Sequence, residues 1–127
     1  MLVEDEHFVR EATCRILESA GYEVLPAGDA QEAVKIYELH HDRIDLLMTD
    51  MTLPGRGGRQ LSQDLRSTSP ELAILLTSGY VENDCDREPQ EPKTYFLPKP
   101  YSRSELVAML EKIFRVAVQQ RAASQAS

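Results

Sequence analysis

Apolar positions along this chain fall into two alternating rhythms, short unbroken runs and stretches at helical spacing. Leu2-Val3 opens as a strand that stops at Glu4-Asp5-Glu6. Phe8, Val9, Ala12, Ile16, Leu17 and Ala20 then recur as on one helix face, and Gly21 supplies the stop. Tyr22 to Leu25 reads as a short strand. Asp29 is a good N-cap with Glu32 three residues on, and Ala30, Ala33, Val34 and Tyr37 give the next helix its apolar side. The run Ile44 to Thr49 is closed by Asp50 and followed by Pro54-Gly55, which turns the chain into a loop. Arg59 to Ser67, carrying Leu61 and Leu65, predicts a third helix. Ala73 to Thr77 and Thr94 to Leu97 predict two more strands. Ser102 with Glu105 forms a capping box ahead of Leu106, Leu110, Ile113 and Ala117, flanked by Val107 and Phe114.

Strand and helix alternating in this way predict an α/β fold, a doubly wound five-stranded parallel sheet with helices on both faces and the flavodoxin-like order 2-1-3-4-5. One segment breaks the rhythm. Val81 to Lys93 is acidic, holds Pro89 and Pro92 and has no apolar period, so the fourth helix is expected to be weak or missing. Residues 1–120 are read as one domain and Arg121 to Ser127, small and polar, as a frayed tail. The first strand begins almost at residue 1, which reads as a piece cut from a longer protein.

Composition narrows the function classes. The 127 residues suit one core, and 42% hydrophobic with 28% charged residues is ordinary for a globular domain. A net charge of −7 without a basic stripe argues against nucleic acid and against direct contact with an anionic membrane. With no apolar run of membrane-spanning length, the cytoplasm is the expected compartment. Cys14 and Cys85, without a CxxC, read as free thiols.

The candidate chemistry lies at strand ends. In a 2-1-3-4-5 sheet the carboxyl ends of strands one, three, four and five adjoin, and they carry Glu4-Asp5, Asp50, Ser78 and Lys99. Singly, each has a plain alternative: Asp50 as a turn former, the acids as a helix cap, Ser78 as a loop hydroxyl, Lys99-Pro100 as a surface turn. Together they are complementary. Clustered carboxylates repel, so without a cation at least one has a raised pKa. Mg²⁺ removes that penalty, because it takes oxygen ligands, keeps several waters and bridges carboxylates to phosphate oxygens. Asp50 would attack phosphorus, while Asp5, Asp50 and a backbone carbonyl just past it would hold the metal. Lys99 offers a point charge to the equatorial oxygens and Ser78 a hydroxyl donor. Phosphoryl transfer needs positioning and charge compensation, which this set supplies.

Val3-Glu4-Asp5-Glu6, Asp50-Met51-Thr52-Leu53-Pro54-Gly55 with Gly58, Leu76-Thr77-Ser78-Gly79-Tyr80 and Phe96-Leu97-Pro98-Lys99-Pro100 resemble the receiver domain of two-component response regulators over nearly the whole chain. The resemblance implies Asp50 as acceptor from a phosphohistidine of a histidine kinase or histidine phosphotransfer domain. It implies Glu4 and Asp5 as the acidic pair, the Thr52 carbonyl as a metal ligand, and Lys99 as the phosphate-binding lysine. Ser78 and Phe96 would be the switch pair, the Lys99-Pro100 peptide would be cis, and Thr52 and Tyr80 would influence the lifetime of the phosphorylated state. Such a domain catalyses only its own phosphorylation and dephosphorylation. Glu4 stands where Asp is commoner in the family, and Ser78-Gly79 replaces the more frequent Thr-Ala. That wording, with Phe-Leu-Pro-Lys-Pro-Tyr, is similar to the carboxyl-terminal receivers of hybrid sensor histidine kinases, whose parents are often anchored in a membrane.

Other readings fit less well. Gly55-Arg56-Gly57-Gly58 lacks the spacing and the lysine of a nucleotide-phosphate loop. His7, His40 and His41 form no zinc spacing with the cysteines. Asp50-Met51-Thr52 lacks the Asp-x-Asp of aspartyl-phosphate hydrolases. A stand-alone response regulator and a receiver-shaped binding module that is never phosphorylated remain as alternatives.

Overall fold

Five parallel strands form one sheet in the order β2-β1-β3-β4-β5, as the alternation predicts. The computed structural model describes residues 1–51, 57–78 and 93–126, with side chains as far as Arg115. β1 is Leu2–Val3, β2 Pro26–Ala27, β3 Leu46–Asp50, β4 Ala73–Ser78 and β5 Thr94–Pro98. The helices are α1 His7–Ser19, α2 Ala30–His40, α3 Gly58–Thr68 and α4 Arg103–Ala126. The segment in which a weak or missing fourth helix is expected, together with Thr52, Gly79, Tyr80 and Cys85, lies outside the described residues, Lys93 excepted.

Side-chain alternation along the strands builds two cores. Val3, Leu47, Ile74 and Leu76 point to the face covered by α2 and α3, where they meet Ala33, Tyr37, Leu61 and Leu65. Leu2, Met48, Ala73, Leu75 and Leu97 point to the other face and meet Leu17 of α1 with Leu106, Leu110 and Ile113 of α4. Because both faces are covered, β4 is buried at every position, which is why it reads as an unbroken apolar run. Register then brings the polar ends level: Val3 pairs with Thr49, Asp50 with Thr77, and Ser78 with Pro98.

Local signals behave as their chemistry demands. Asp29 caps α2 by accepting from the Glu32 amide at 2.8 Å. Ser102 Oγ accepts from the Glu105 amide at 3.0 Å, and Glu105 reaches back to the Ser102 amide at 3.3 Å. Helix α1 ends at Gly21, whose φ of +97° lets its amide bond Glu18 while the Tyr22 amide bonds Leu17.

Two sequence expectations shift. The second strand is Pro26–Ala27 rather than Tyr22 to Leu25. It sits at the sheet edge, where a proline without an amide hydrogen costs nothing on the open side. Helix α1 buries Thr13 and Leu17, leaving Phe8 84% exposed. Its phase follows the packing of Leu17, Ile16 and Cys14 on the sheet and a hydrogen bond between Thr13 and Tyr101, not the largest apolar residue. Helix α4 runs from Arg103 to Ala126. Arg, Ala and Gln are good helix formers and no Gly or Pro interrupts them. Among the described residues no helix is long and apolar enough to cross a membrane.

Candidate functional site

At the carboxyl edge of the sheet, one oxygen each from Glu4, Asp5 and Asp50 lie within 4.8 Å of one another. Glu4 is buried, Asp50 half-buried and Asp5 exposed. β1 delivers the first two as it gives way to α1, and Asp50 is the last residue of β3. From across the sheet Lys99, just past β5, donates from Nζ to Glu4 Oε1 at 2.6 Å and to Asp50 Oδ2 at 2.8 Å. Its own amide is held by the Ser78 carbonyl at 2.9 Å, so β4 and β5 together aim the side chain. The Lys99-Pro100 peptide is cis.

The electrostatics follow from burial and pairing. Burial pushes the Glu4 carboxyl above its ordinary pKa, and the Lys99 ammonium only partly offsets it. Burial alone would lower Lys99, but hydrogen bonds and charges from Asp50 and Glu4 outweigh it and hold the ammonium above the ordinary lysine value. Among the described residues one ammonium faces three carboxylates, which leaves the cluster short of positive charge. The donors are all oxygen and one of them faces solvent, which suits Mg²⁺, an ion that keeps part of its water. The residues therefore fit the ion, with Glu4, Asp5 and Asp50 as its acidic surroundings.

The backbone around Asp50 is held from several sides. The Met51 amide donates to the Thr77 carbonyl at 2.8 Å and the Gly58 amide to the Met51 carbonyl at 3.0 Å. Thr49 Oγ1 donates to the Asp50 carbonyl at 3.1 Å. Gly58 is required by space: a Cβ there would sit 2.0 Å from the Asp50 carbonyl oxygen. Ser78 is buried at the end of β4, one position past the partner of Asp50. Phe96 lies in β5 beside Leu76, half-buried against the α2–α3 core.

This convergence of three acids and a lysine on a 2-1-3-4-5 sheet agrees with the comparison by family. The response regulator receiver domain model matches residues 1–111. The chain belongs to that family. It is 38% identical over 117 residues to sensor kinase CckA of Brucella abortus, covering 88% of this chain and 12% of the kinase. It is 32% identical over 118 residues to the phosphate regulon transcriptional regulatory protein PhoB of Escherichia coli, covering 91% of this chain and 51% of PhoB. The chain thus spans a small part of the kinase and about half of the regulator. The crystal structure of the receiver domain from the hybrid histidine kinase CckA superposes with a TM-score of 0.77 at 35% identity, covering 88% of this chain and 94% of that one. Response regulator TrrA of Thermotoga maritima, solved in complex with Mg²⁺-BeF, gives 0.77 at 25% identity, covering 88% and 95%. The chain is a receiver domain of two-component signalling.

Sequence reasoning placed Glu4, Asp5, Asp50, Ser78 and Lys99 on this receiver's edge, and the structure brings the three acids and the lysine into contact distance. The Thr52 carbonyl lies outside the described residues. Three groups escaped it: Arg10, which donates to the Glu4 carbonyl at 2.8 Å, and the Thr13–Tyr101 pair, which ties α1 to the segment after Pro100. Arg10 and Thr13 sit one helical turn apart in α1, and only a helix already phased on the sheet would have marked them.

Proposed function

We propose that Asp50 is the phospho-acceptor of a phosphorelay, taking its phosphoryl group from a phosphohistidine of a histidine kinase or histidine phosphotransfer domain. The observation that carries this reading is Asp50 held by Lys99 Nζ at 2.8 Å beside two further carboxylates. A carboxylate oxygen of Asp50 forms the new bond to phosphorus as the phosphorus–nitrogen bond breaks, and the imidazole nitrogen leaves with its electron pair and takes up a proton. Mg²⁺, when bound among Glu4, Asp5, Asp50 and the Thr52 carbonyl, supplies charge neutralisation to the phosphoryl oxygens. Lys99 compensates the remaining oxygens as a point charge, and Ser78 donates its hydroxyl. Engagement of Ser78 then favours an inward Phe96 and shifts an existing equilibrium of the adjoining face.

The likeness to the CckA receiver supports a parent of the hybrid sensor kinase type, with residues 1–120 as its cytoplasmic receiver domain. The similarity to PhoB supports a free-standing regulator as the second reading. Incubation with acetyl phosphate and Mg²⁺, followed by Phos-tag electrophoresis, tests the chemistry. Wild type shifts, while Asp50→Asn and chelated samples do not. Equal labelling of Asp50→Asn, or none of wild type, overturns the reading in favour of a binding module that is never phosphorylated.

A further inference from the structure

We infer that Arg10 is a positioning residue for the acidic pair: by fixing the Glu4–Asp5 peptide it sets the aim of Asp5 toward Asp50. Strand pairing ends where this peptide begins, since the Glu4 amide still bonds the Ala27 carbonyl at 3.0 Å but β2 stops at Ala27. Among the described residues, Arg10 is the side-chain donor that reaches the Glu4 carbonyl. Arg10 lies on the second turn of α1, and its side chain runs back toward the helix amino end, as helical side chains do. There Nη1 donates to the Glu4 carbonyl at 2.8 Å.

The guanidinium has a second partner. Nη2 stands 3.3 Å from His7 Nδ1, and because a guanidinium only donates, the ring nitrogen accepts there. His7 Nε2 faces Glu11 at 3.4 Å, which orients the ring. Gly28 lies close by, where an added Cβ would stand 3.2 Å from Nη1. A fork that donates to a backbone carbonyl and to a ring nitrogen differs from a freely solvated surface arginine.

The peptide is planar, so holding its carbonyl sets ψ of Glu4 and φ of Asp5 together. Asp5 is the exposed member of the acid trio, so its direction rests on backbone more than on packing. The positive charge also eases repulsion between the acids without approaching as a ligand.

This inference rests on the reading that the trio takes up Mg²⁺. The test is Mg²⁺ affinity, measured by calorimetric and amide-NMR titration of the full chain, for wild type, Arg10→Gln, Arg10→Lys, Asp5→Asn and the double variant Arg10→Gln/Asp5→Asn. Arg10→Gln weakens Mg²⁺ binding about tenfold, at the lower end of outer-shell effects on metal sites. Arg10→Lys, which keeps a charge and a donor, recovers part of the loss, and far-UV circular dichroism is unchanged throughout. In the Asp5→Asn background the Arg10 change alters affinity by no more than about twofold, since the residue it aims is gone. Should Arg10→Gln fail to fold, Gly28→Val displaces the same guanidinium and gives the same result. Wild-type affinity in Arg10→Gln, or an undiminished Arg10 effect without Asp5, overturns the inference while leaving the metal site standing. A wild type that binds no Mg²⁺ overturns the site reading and the inference with it.

Discussion

Gly58→Ala is the sharpest perturbation of Asp50 that leaves its side chain untouched. The added Cβ would meet the Asp50 carbonyl oxygen at 2.0 Å, its carbonyl carbon at 2.8 Å and Thr49 Oγ1 at 3.0 Å. Real Cβ contacts essentially never fall below 3.0 Å, so the carbonyl or the start of α3 must retreat by about 1 Å. Neither is a flexible side-chain end. Overpacking of this kind costs roughly 1–3 kcal/mol, and straining the Gly58–Met51 hydrogen bond adds about 1 kcal/mol. A loss of roughly 2–4 kcal/mol is a large part of a typical 5–15 kcal/mol. If Asp50 takes up the phosphoryl group as proposed, displacing it by about 1 Å also costs on the order of a hundredfold in rate. Urea unfolding followed by circular dichroism reads the first effect, and the rate of Phos-tag labelling with acetyl phosphate reads the second. Gly57→Ala is the control: its Cβ stands 3.3 Å from the Met51 carbonyl, and an N-cap Gly→Ala change costs about 1 kcal/mol or less. A Gly58→Ala protein with the wild-type urea midpoint and labelling rate would refute the close-approach reasoning.

Lys99→Met removes the cation shared by Glu4 and Asp50; Mg²⁺ then binds several-fold more tightly in a calorimetric titration, while labelling by acetyl phosphate falls, and unchanged metal affinity would contradict the charge argument. Ser102→Ala removes the cap on α4 and lowers stability by about 1 kcal/mol in urea unfolding. Burial raises the Tyr101 phenol above its ordinary value of 10.0, outweighing its bond with Thr13. The folded state therefore favours the neutral phenol: that contribution is whole below pH 10 and is lost as pH rises through the folded value. Tyr101→Phe flattens the fall in stability measured between pH 9 and 11 by unfolding titrations, and an identical slope in both proteins would count against it.

Much of this architecture was legible because its signals are periodic or terminal. β4 is apolar at Ile74, Leu75 and Leu76 since both sheet faces are covered, and the acids, Ser78 and Lys99 announce themselves by ending runs. What escaped depends on partners that a sequence does not display. Arg10 binds a backbone carbonyl, which every residue has, so nothing in its neighbours marks it. Gly58 is visible as a glycine, but the oxygen it makes room for belongs to residue 50. The second strand was misplaced because an edge strand is defined by which residues face Leu2 and Val3, and Pro26 looks like an interruption rather than a member. Phe8 misled for the opposite reason, because bulk suggested burial while α1 turned on Leu17 and Thr13.

A single ammonium joins two ends of the polymer here, with Glu4 and Lys99 separated by 95 positions and bridged at 2.6 Å. That ammonium has three donors, of which Glu4 and Asp50 each take one. The contact that spans most of the sequence is therefore made by the same nitrogen that faces Asp50 at 2.8 Å.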